Sequence, residues 1–184
     1  MLTIGHSTLP IEAFLHALTE NGCEVLVDVR RYPGSRRHPQ FMQEALFRAV
    51  REAEMRAVWR EGMGGRRAER KDSINLGWRS SSFRGYADYM QTPEFRAEID
   101  WLMEQGDGAT VMCAEAVPWR CHRQLIADAV IARGGVVEDI LVTAEGKSSR
   151  RMHAMTEFAR VEDGRVWYPA AEAEGQEQLF KGCG

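Results

Sequence analysis

The chain has 184 residues, of which 44% are hydrophobic, and its formal net charge is -3. This length and composition are typical of one domain with a substantial core. No apolar stretch approaches membrane-spanning length, and the first residues enter a strand pattern without the charged and apolar regions of a signal peptide. The four cysteines include no C-x-x-C pair and are too few for a disulfide-stapled secreted fold. We therefore expect a cytoplasmic protein with reduced thiols.

Hydrophobic periodicity predicts an alternation of strands and helices, which is typical of an α/β fold. The predicted strands are residues 1–5, 24–29, 57–59, 109–112 and 136–142. The predicted helices are residues 10–20, 43–54, 83–90, a helix that Thr92 caps and Pro93 opens, and residues 124–133. Residues 158–161 and 166–168 flank a turn and predict a hairpin. Together they predict a three-layer α/β/α domain over residues 1–169, whose mostly parallel sheet gains a C-terminal antiparallel hairpin extension.

Charge is unevenly distributed along the chain. Residues 30–84 contain 14 Lys and Arg against 6 Asp and Glu, whereas the remainder contains 10 basic and 21 acidic residues. The middle of the chain would therefore face an anionic partner. It includes a loop from residue 62 to about residue 82 without clear periodicity, which predicts a lid, a binding loop or a disordered segment. Trp59 and Trp78 flank the Arg-rich stretch of this loop and could stack on planar bases; the alternative is that both are core residues and the arginines are a solvated surface.

Polar side chains follow three of the predicted strands. Ligands of open α/β sheets bind beyond the carboxyl ends of the strands, so these side chains mark the expected site. As candidate catalytic residues we take Cys113, Glu115, Asp28 and His6. As candidate substrate-binding residues we take Ser7, Arg30, Arg31, Arg120, His122 and Arg123.

Several motifs lie at these strand ends and in the predicted helix near residue 85. They are TIGHST at residues 3–8, VDVRRYPGS at 27–35, FRGYADY at 83–89, MCAE at 112–115 and CHR at 121–123. In this order and spacing they resemble the bacterial family known as domain of unknown function 488. The resemblance implies a compact three-layer α/β domain with the motif residues around a pocket. It implies no particular reaction.

The chemistry at this site has more than one interpretation. Cys113 could be a nucleophile activated by His6 or His122, or a small buried residue at the end of a strand. Glu115 and Asp28 could act as general acids or bases, or could be ion-pair partners of the nearby arginines.

Zinc is another option, because Cys113, Glu115, Cys121, His122 and His6 are all zinc-type ligands. However, adjacent residues such as Cys121 and His122 point about 100° apart on a helix, and no other spacing matches a known zinc motif. We therefore predict no metal and no other cofactor.

Anion binding accounts for most of the candidate residues. Arginine side chains and helix N-termini bind phosphate or carboxylate groups. We predict an enzyme that acts on a phosphate-bearing substrate, with a nucleotide or nucleic acid favoured by the basic middle segment. The alternatives are a non-catalytic anion sensor or adaptor protein in DNA maintenance, and a zinc-dependent hydrolase.

The C-terminal residues 170–184 change in composition to Ala, Glu, Gln and Gly, which predicts a flexible acidic tail. Within it, Gln176, Leu179 and Phe180 are similar to the short peptides with which bacterial DNA-maintenance proteins dock on the replicative sliding clamp. The alternative is that Leu179 and Phe180 fold onto the body of the domain.

Overall fold

The centre of the structure is a six-stranded mixed sheet. The computed structural model describes residues 1–34 and 37–171. The strands are β1 (Leu2–Gly5), β2 (Val25–Asp28), β3 (Arg56–Trp59), β4 (Ala109–Cys113), β5 (Glu138–Val142) and β6 (Ser148–Met152). Their order across the sheet is β3-β2-β4-β1-β5-β6. The first five are parallel, and only β6 pairs antiparallel, with β5.

In the described part of the chain, five α-helices cover the two faces of this sheet. They are α1 (Ile11–Glu20), α2 (Gln43–Glu52), α3 (Ser81–Tyr89), α4 (Pro93–Glu104) and α5 (Arg123–Ala132). Buried side chains of α1 and α2 pack with Leu26 and Met112 on one face, and those of α3, α4 and α5 pack with Val27 and Val111 on the other. This is the predicted three-layer α/β/α arrangement. Among the described helices, none is long and apolar enough to cross a membrane.

The strands β1, β2 and β4 are buried along their whole length. Parallel strands with helices on both faces bury both sets of side chains, which is why these strands have continuous apolar sequences. β3 and β6 form the two edges of the sheet and have exposed side chains. Because β1, β2 and β4 are neighbours, their carboxyl ends meet at the centre of one sheet edge.

The predicted C-terminal hairpin forms, but it is a two-stranded sheet of its own. Its strands are β7 (Arg160–Glu162) and β8 (Arg165–Trp167), and Val166 and Tyr168 pack into the core beside α5. The antiparallel strand of the main sheet is instead β6, which the sequence analysis did not predict. Its side chains are mostly exposed, so the strand has no apolar alternation to recognise.

The predicted acidic tail lies almost wholly outside the described residues, which end at residue 171. The clamp-like residues Gln176, Leu179 and Phe180 are therefore not part of the description that follows.

Candidate functional site

A pocket of about 680 Å³ opens at the carboxyl ends of β1, β2 and β4. This is the position that the sequence predicts for the site. Seven of the ten predicted site residues line the pocket: His6, Ser7, Arg30, Cys113, Glu115, Arg120 and His122. Asp28, Arg31 and Arg123 do not.

Asp28 lies beneath the pocket and orients Arg30. Its carboxylate is fully buried and accepts hydrogen bonds from Arg30 Nε at 2.9 Å and Arg30 Nη2 at 2.6 Å. Arg30 Nη1 donates to the carbonyl of Phe41 at 2.7 Å. The Arg30 guanidinium is therefore fixed at the pocket wall, with its charge balanced by Asp28.

His6 is fixed in the same wall and is neutral near pH 7. Its ring stacks on Phe41 with 4.0 Å between centroids. Since the Ser7 carbonyl can only accept, Nδ1 carries the proton and donates to it at 2.9 Å, which leaves Nε2 to accept from Arg30 Nη1 at 3.3 Å. Burial, and then the nearby Arg30 charge, lowers the pKa of His6 to about 4. Both ring nitrogens have protein partners, so the arrangement favours a positioning role for His6.

Arg123 has its guanidinium in the interior rather than in the pocket. It is 1% exposed, and it donates from Nη1 to the Thr3 hydroxyl at 3.1 Å and from Nη2 to the Glu115 carbonyl at 2.5 Å. These bonds connect α5 to β1 and to the loop after β4. Arg31 is directed to the surface, where its guanidinium lies 3.7 Å from the Glu61 carboxylate.

The loop after β4 crosses directly over the end of β1. A Cβ atom at Gly5 would lie 1.9 Å from the Glu115 carbonyl oxygen, so only glycine permits this approach. The next residues continue the pairing, because His6 N donates to the Cys113 carbonyl at 3.0 Å and Ser7 N to the Ala114 carbonyl at 2.9 Å. This crossing places the exposed Glu115 side chain at the rim of the pocket.

Cys113, Cys121 and His122 form the floor of the pocket. The two Sγ atoms and a ring nitrogen of His122 lie within 4.8 Å of one another. His122 Nε2 donates to the Val29 carbonyl at 3.2 Å, so its Nδ1 faces Cys121 Sγ, at 3.7 Å. Both sulfur atoms are buried, with Cys113 9% and Cys121 5% exposed.

The two thiols of the floor differ in acidity. The hydrogen bond to Cys121, and then burial, raises the pKa of Cys113 well above its usual value. The same hydrogen bond holds the pKa of Cys121 well below its usual value, against the effect of burial and with help from His122. Cys121, which the sequence analysis considered only as a zinc-type ligand, is therefore a second thiol at this floor beside Cys113.

Cys121 and His122 converge because they do not lie together on a helix. Cys121 follows a short 3-10 helix, Pro118–Arg120, in extended conformation (φ -127°, ψ 148°), and His122 then turns into α5 (φ -60°, ψ -10°). Adjacent side chains on such a backbone can point to one spot. The sequence-based argument that they diverge was wrong, since it assumed that both residues are helical.

The basic loop after β3 reaches the pocket through Gly65 and Arg66. Arg67 holds this loop in shape by donating to the Gly64 carbonyl at 3.0 Å and the Gly62 carbonyl at 2.7 Å. From α3, the Tyr86 hydroxyl donates to the carbonyl of Met63 at 2.8 Å. Neither Gly65 nor Arg66 was a predicted site residue, because a loop without periodicity gives no indication of which side chains turn inward.

Comparison with known families gives one match. The model of the family described as domain of unknown function DUF488 matches residues 10–130. The chain belongs to the DUF488 family. Comparisons with curated proteins and with solved structures gave no significant match.

The segment that matches the family model contributes most of the residues that line the pocket of this DUF488 protein. Residues 10–130 include β2, β4, the basic loop, α3 and the Cys113–Cys121–His122 floor. His6 and Ser7 also line the pocket but lie before the matched segment. The structure therefore adds the end of β1 to the site.

Trp59 and Trp78, the two tryptophans within the basic segment of the DUF488 chain, do not line the pocket. Trp78 is half-buried and packs against Phe83, Phe158 and Tyr168. Trp59 is 37% exposed, and its Nε1 donates to the Arg30 carbonyl at 3.0 Å. The aromatic residues that line the pocket are instead Tyr32, Phe83 and Tyr86.

Many arginines of the basic segment have partners inside the protein, such as Arg60 with Glu98, Arg84 with Glu69 and Arg67 with backbone carbonyls. Two arginines at the pocket differ from these. Within residues 1–34 and 37–171, no carboxylate pairs with the exposed side chains of Arg66 and Arg120. The Arg66 guanidinium contacts the Tyr32 ring, at 5.5 Å from its centroid.

Proposed function

We propose that this DUF488 protein is an enzyme, a hydrolase or a transferase, that binds a phosphate-bearing substrate in the pocket at the carboxyl ends of β1, β2 and β4. The observation that carries the proposal is the position of Arg66 and Arg120. Both residues line the pocket that has Cys113, Cys121 and His122 as its floor. Arginine forms two parallel hydrogen bonds to phosphate, which fixes the orientation of the group as well as attracting it.

The charge balance of the pocket supports an anionic ligand. Arg30 is neutralised by Asp28, and His6 is neutral near pH 7, so neither contributes much net charge. Among the described lining residues, Arg66 and Arg120 then outnumber the single carboxylate, that of Glu115. The start of α5 adds the positive end of a helix dipole on the same side.

A nucleotide or a nucleic-acid end suits the size and lining of the pocket. Its volume of about 680 Å³ lies within the usual range for small-ligand sites. Tyr32 is 65% exposed, and Arg66 lies over its ring at 5.5 Å, while Phe83 forms another part of the lining. Exposed aromatic rings beside arginines stack with nucleobases.

The rim carboxylate of Glu115 is the group best placed to transfer protons. Its side chain is exposed, and its nearest polar contact is the backbone N–H of Val117 at 3.4 Å. No ion pair of Glu115 is found within residues 1–34 and 37–171, and such a carboxylate can accept a proton from a bound substrate or donate one to it. Ser7 also lines the pocket and has a hydroxyl group.

A sliding-clamp contact through Gln176, Leu179 and Phe180 stays part of this proposal as a separate docking function of the tail. It would bring the enzyme to DNA but would not change the chemistry of the pocket.

Thermal unfolding with a panel of anions tests the binding step. Phosphate, pyrophosphate, nucleotides and short single-stranded DNA are each added to the full chain. A ligand at a hundred times its dissociation constant should stabilise the protein by about 2.7 kcal/mol. The stabilisation should be lost in the double variant Arg66→Ala, Arg120→Ala and retained in Arg79→Ala, which removes an exposed arginine outside the pocket.

The outcome of this panel also separates an enzyme from a sensor. Equal stabilisation of all three proteins would contradict binding in this pocket. Once a ligand is found, an ester of that ligand can be assayed as a substrate. Glu115→Gln should reduce the turnover of this ester, while the variant keeps the wild-type affinity for the ligand. A ligand that binds at the pocket and is never turned over would show an anion sensor instead.

A further inference from the structure

We propose that Cys113 Sγ, Cys121 Sγ and His122 Nδ1 bind one Zn²⁺ ion, with the fourth coordination position open to the pocket. Zinc binding itself does not depend on the proposed function. The catalytic use of the metal rests on the proposed function, because catalysis requires the anionic substrate.

The spacing of the three atoms fits a tetrahedral zinc ion. The ligand atoms lie within 4.8 Å of one another, and Cys121 Sγ is 3.7 Å from His122 Nδ1. Zinc bonds of about 2.3 Å to sulfur and about 2.0 Å to nitrogen place a sulfur and a nitrogen ligand about 3.5 Å apart and two sulfur ligands about 3.8 Å apart. The present separations, all within 4.8 Å, are close to these values.

The second nitrogen of His122 has the partner that zinc-binding histidines have. Its Nε2–H donates to the Val29 carbonyl at 3.2 Å, at the end of β2. A hydrogen bond from the distal ring nitrogen to a carbonyl fixes the tautomer and leaves the other nitrogen as the metal ligand. Here that nitrogen is Nδ1, which faces the two sulfur atoms.

The remaining coordination position is accessible from the pocket. All three ligand residues line it. Gly65 lies over the histidine, and a Cβ atom there would be 3.0 Å from Nδ1, closer than ordinary van der Waals contact. The absence of a side chain at residue 65 leaves space beside the ligand atoms for a water molecule or a substrate oxygen.

The set of donor atoms selects for zinc over the hard cations. Two thiolates and one imidazole suit Zn²⁺, whereas Mg²⁺ and Ca²⁺ need oxygen ligands. A cysteine nucleophile would need only Cys121 and His122. The convergence of a third ligand atom, Cys113 Sγ, favours a metal over a nucleophilic pair. Three protein ligands with an open fourth position are also typical of catalytic rather than structural zinc.

With zinc in place, the proposed reaction is hydrolysis of a phosphate ester. Zinc lowers the pKa of a bound water molecule, so that it reacts as hydroxide. The water oxygen forms a bond to phosphorus as the bond from phosphorus to the ester oxygen breaks. The proton from the water is accepted by the Glu115 carboxylate and passes to the departing alcohol. Water is the only co-reactant required.

Metal binding can be measured on the full-length protein without a substrate. The apo-protein, prepared with a chelator under reducing conditions, is titrated with Co²⁺ while the absorption spectrum is recorded, and the Co²⁺ is then displaced with Zn²⁺. We expect one equivalent of Co²⁺ to give thiolate-to-cobalt charge-transfer and tetrahedral d–d bands, and one equivalent of Zn²⁺ to remove them. Cys113→Ser and Cys121→Ser should each weaken Zn²⁺ binding by more than about 100-fold, beyond the usual effect of outer-shell changes.

A matched control is Cys23→Ser, because Cys23 is a buried cysteine on the opposite face of the sheet. This variant should bind zinc as the wild type does. Gly65→Ala adds a methyl group beside Nδ1 of His122 and should therefore alter the cobalt spectrum. This variant tests the site independently if a cysteine variant fails to fold.

Two results would overturn the zinc site. The first is that the wild-type protein binds neither Co²⁺ nor Zn²⁺ stoichiometrically, and that iodoacetamide alkylates the Cys121 thiol equally with and without zinc. The second is unchanged zinc affinity in both cysteine variants. Neither result depends on the loss of anion binding in the Arg66 and Arg120 variant, so failure of the zinc site and failure of the proposed function are distinguishable.

Discussion

Replacing Asp28 by asparagine should strongly destabilise the protein, because it leaves a buried arginine without its counter-charge. Asp28 is fully buried and Arg30 is 5% exposed, and their closest atoms are 2.6 Å apart. The asparagine keeps the shape of the side chain but turns an amide N–H₂ toward one of the guanidinium nitrogens. Removing one partner of a buried ion pair costs about 3–5 kcal/mol. At about 2–4 °C per kcal/mol for a domain of this size, the unfolding midpoint should fall by roughly 6–20 °C.

The chain contains a matched control for this prediction. Arg70 and Asp72 are also two residues apart and 2.8 Å from each other, but both are more than half exposed. Asp72→Asn should leave the urea and thermal midpoints close to those of the wild type, since solvent screens such pairs. Adding Arg30→Met to Asp28→Asn should restore much of the lost stability, because no uncompensated charge remains buried. If Asp28→Asn and Asp72→Asn changed the midpoints equally little, the reasoning about the buried pair would be refuted.

Two further predictions concern other parts of the fold. Gly5→Ala should destabilise the protein by about 1–3 kcal/mol, because the methyl group would overlap the loop after β4. By contrast, a methyl group at Gly34 meets no atom of the described residues within 4 Å, so Gly34→Ala should be neutral in denaturant unfolding. For His153, burial disfavours the imidazolium, but the carboxylates of Asp128 and Asp139 outweigh burial and raise its pKa from 6.5 to about 9. Its stabilising contribution should be complete below about pH 6.5 and lost as the pH rises through 9, so unfolding free energies from pH 6 to 10 should fall more steeply in the wild type than in His153→Gln. Parallel pH profiles of the two proteins would show that His153 is not charged in the folded state.

The sheet was predictable from sequence where both of its faces are buried. The apolar sequences of β1, β2 and β4 and the helical spacing in α5 located the central layer and the pocket edge. The N-cap of α4 was also readable, because Thr92 accepts a hydrogen bond from Phe95 N at 3.3 Å, as its position before Pro93 predicts. By contrast, β6 is an exposed edge strand that is recognisable only from its pairing with β5.

The strand ends identified the pocket, but not what each side chain does there. Asp28 and Arg123 both follow or lie near predicted strand ends, yet their buried partners direct them away from the pocket. The loop residue Arg66 reaches the pocket because Arg67 and Tyr86 shape its loop through bonds to backbone carbonyls, and such bonds have no periodic sequence pattern. The convergence of Cys121 and His122 depends on one extended residue before α5, which spacing alone does not reveal.

The most direct test of the anion pocket is an NMR titration of the ¹⁵N-labelled protein with inorganic phosphate. Our account predicts concentration-dependent shifts of the amide signals of Gly65, Arg66 and Glu115, and no shifts at the opposite end of the sheet near Asn21 and Gly108. The shifts should disappear in the Arg66→Ala, Arg120→Ala variant. An absence of shifts at Gly65 and Glu115 at saturating phosphate, or shifts that persist in that variant, would contradict the central claim that this pocket binds a phosphate-bearing substrate.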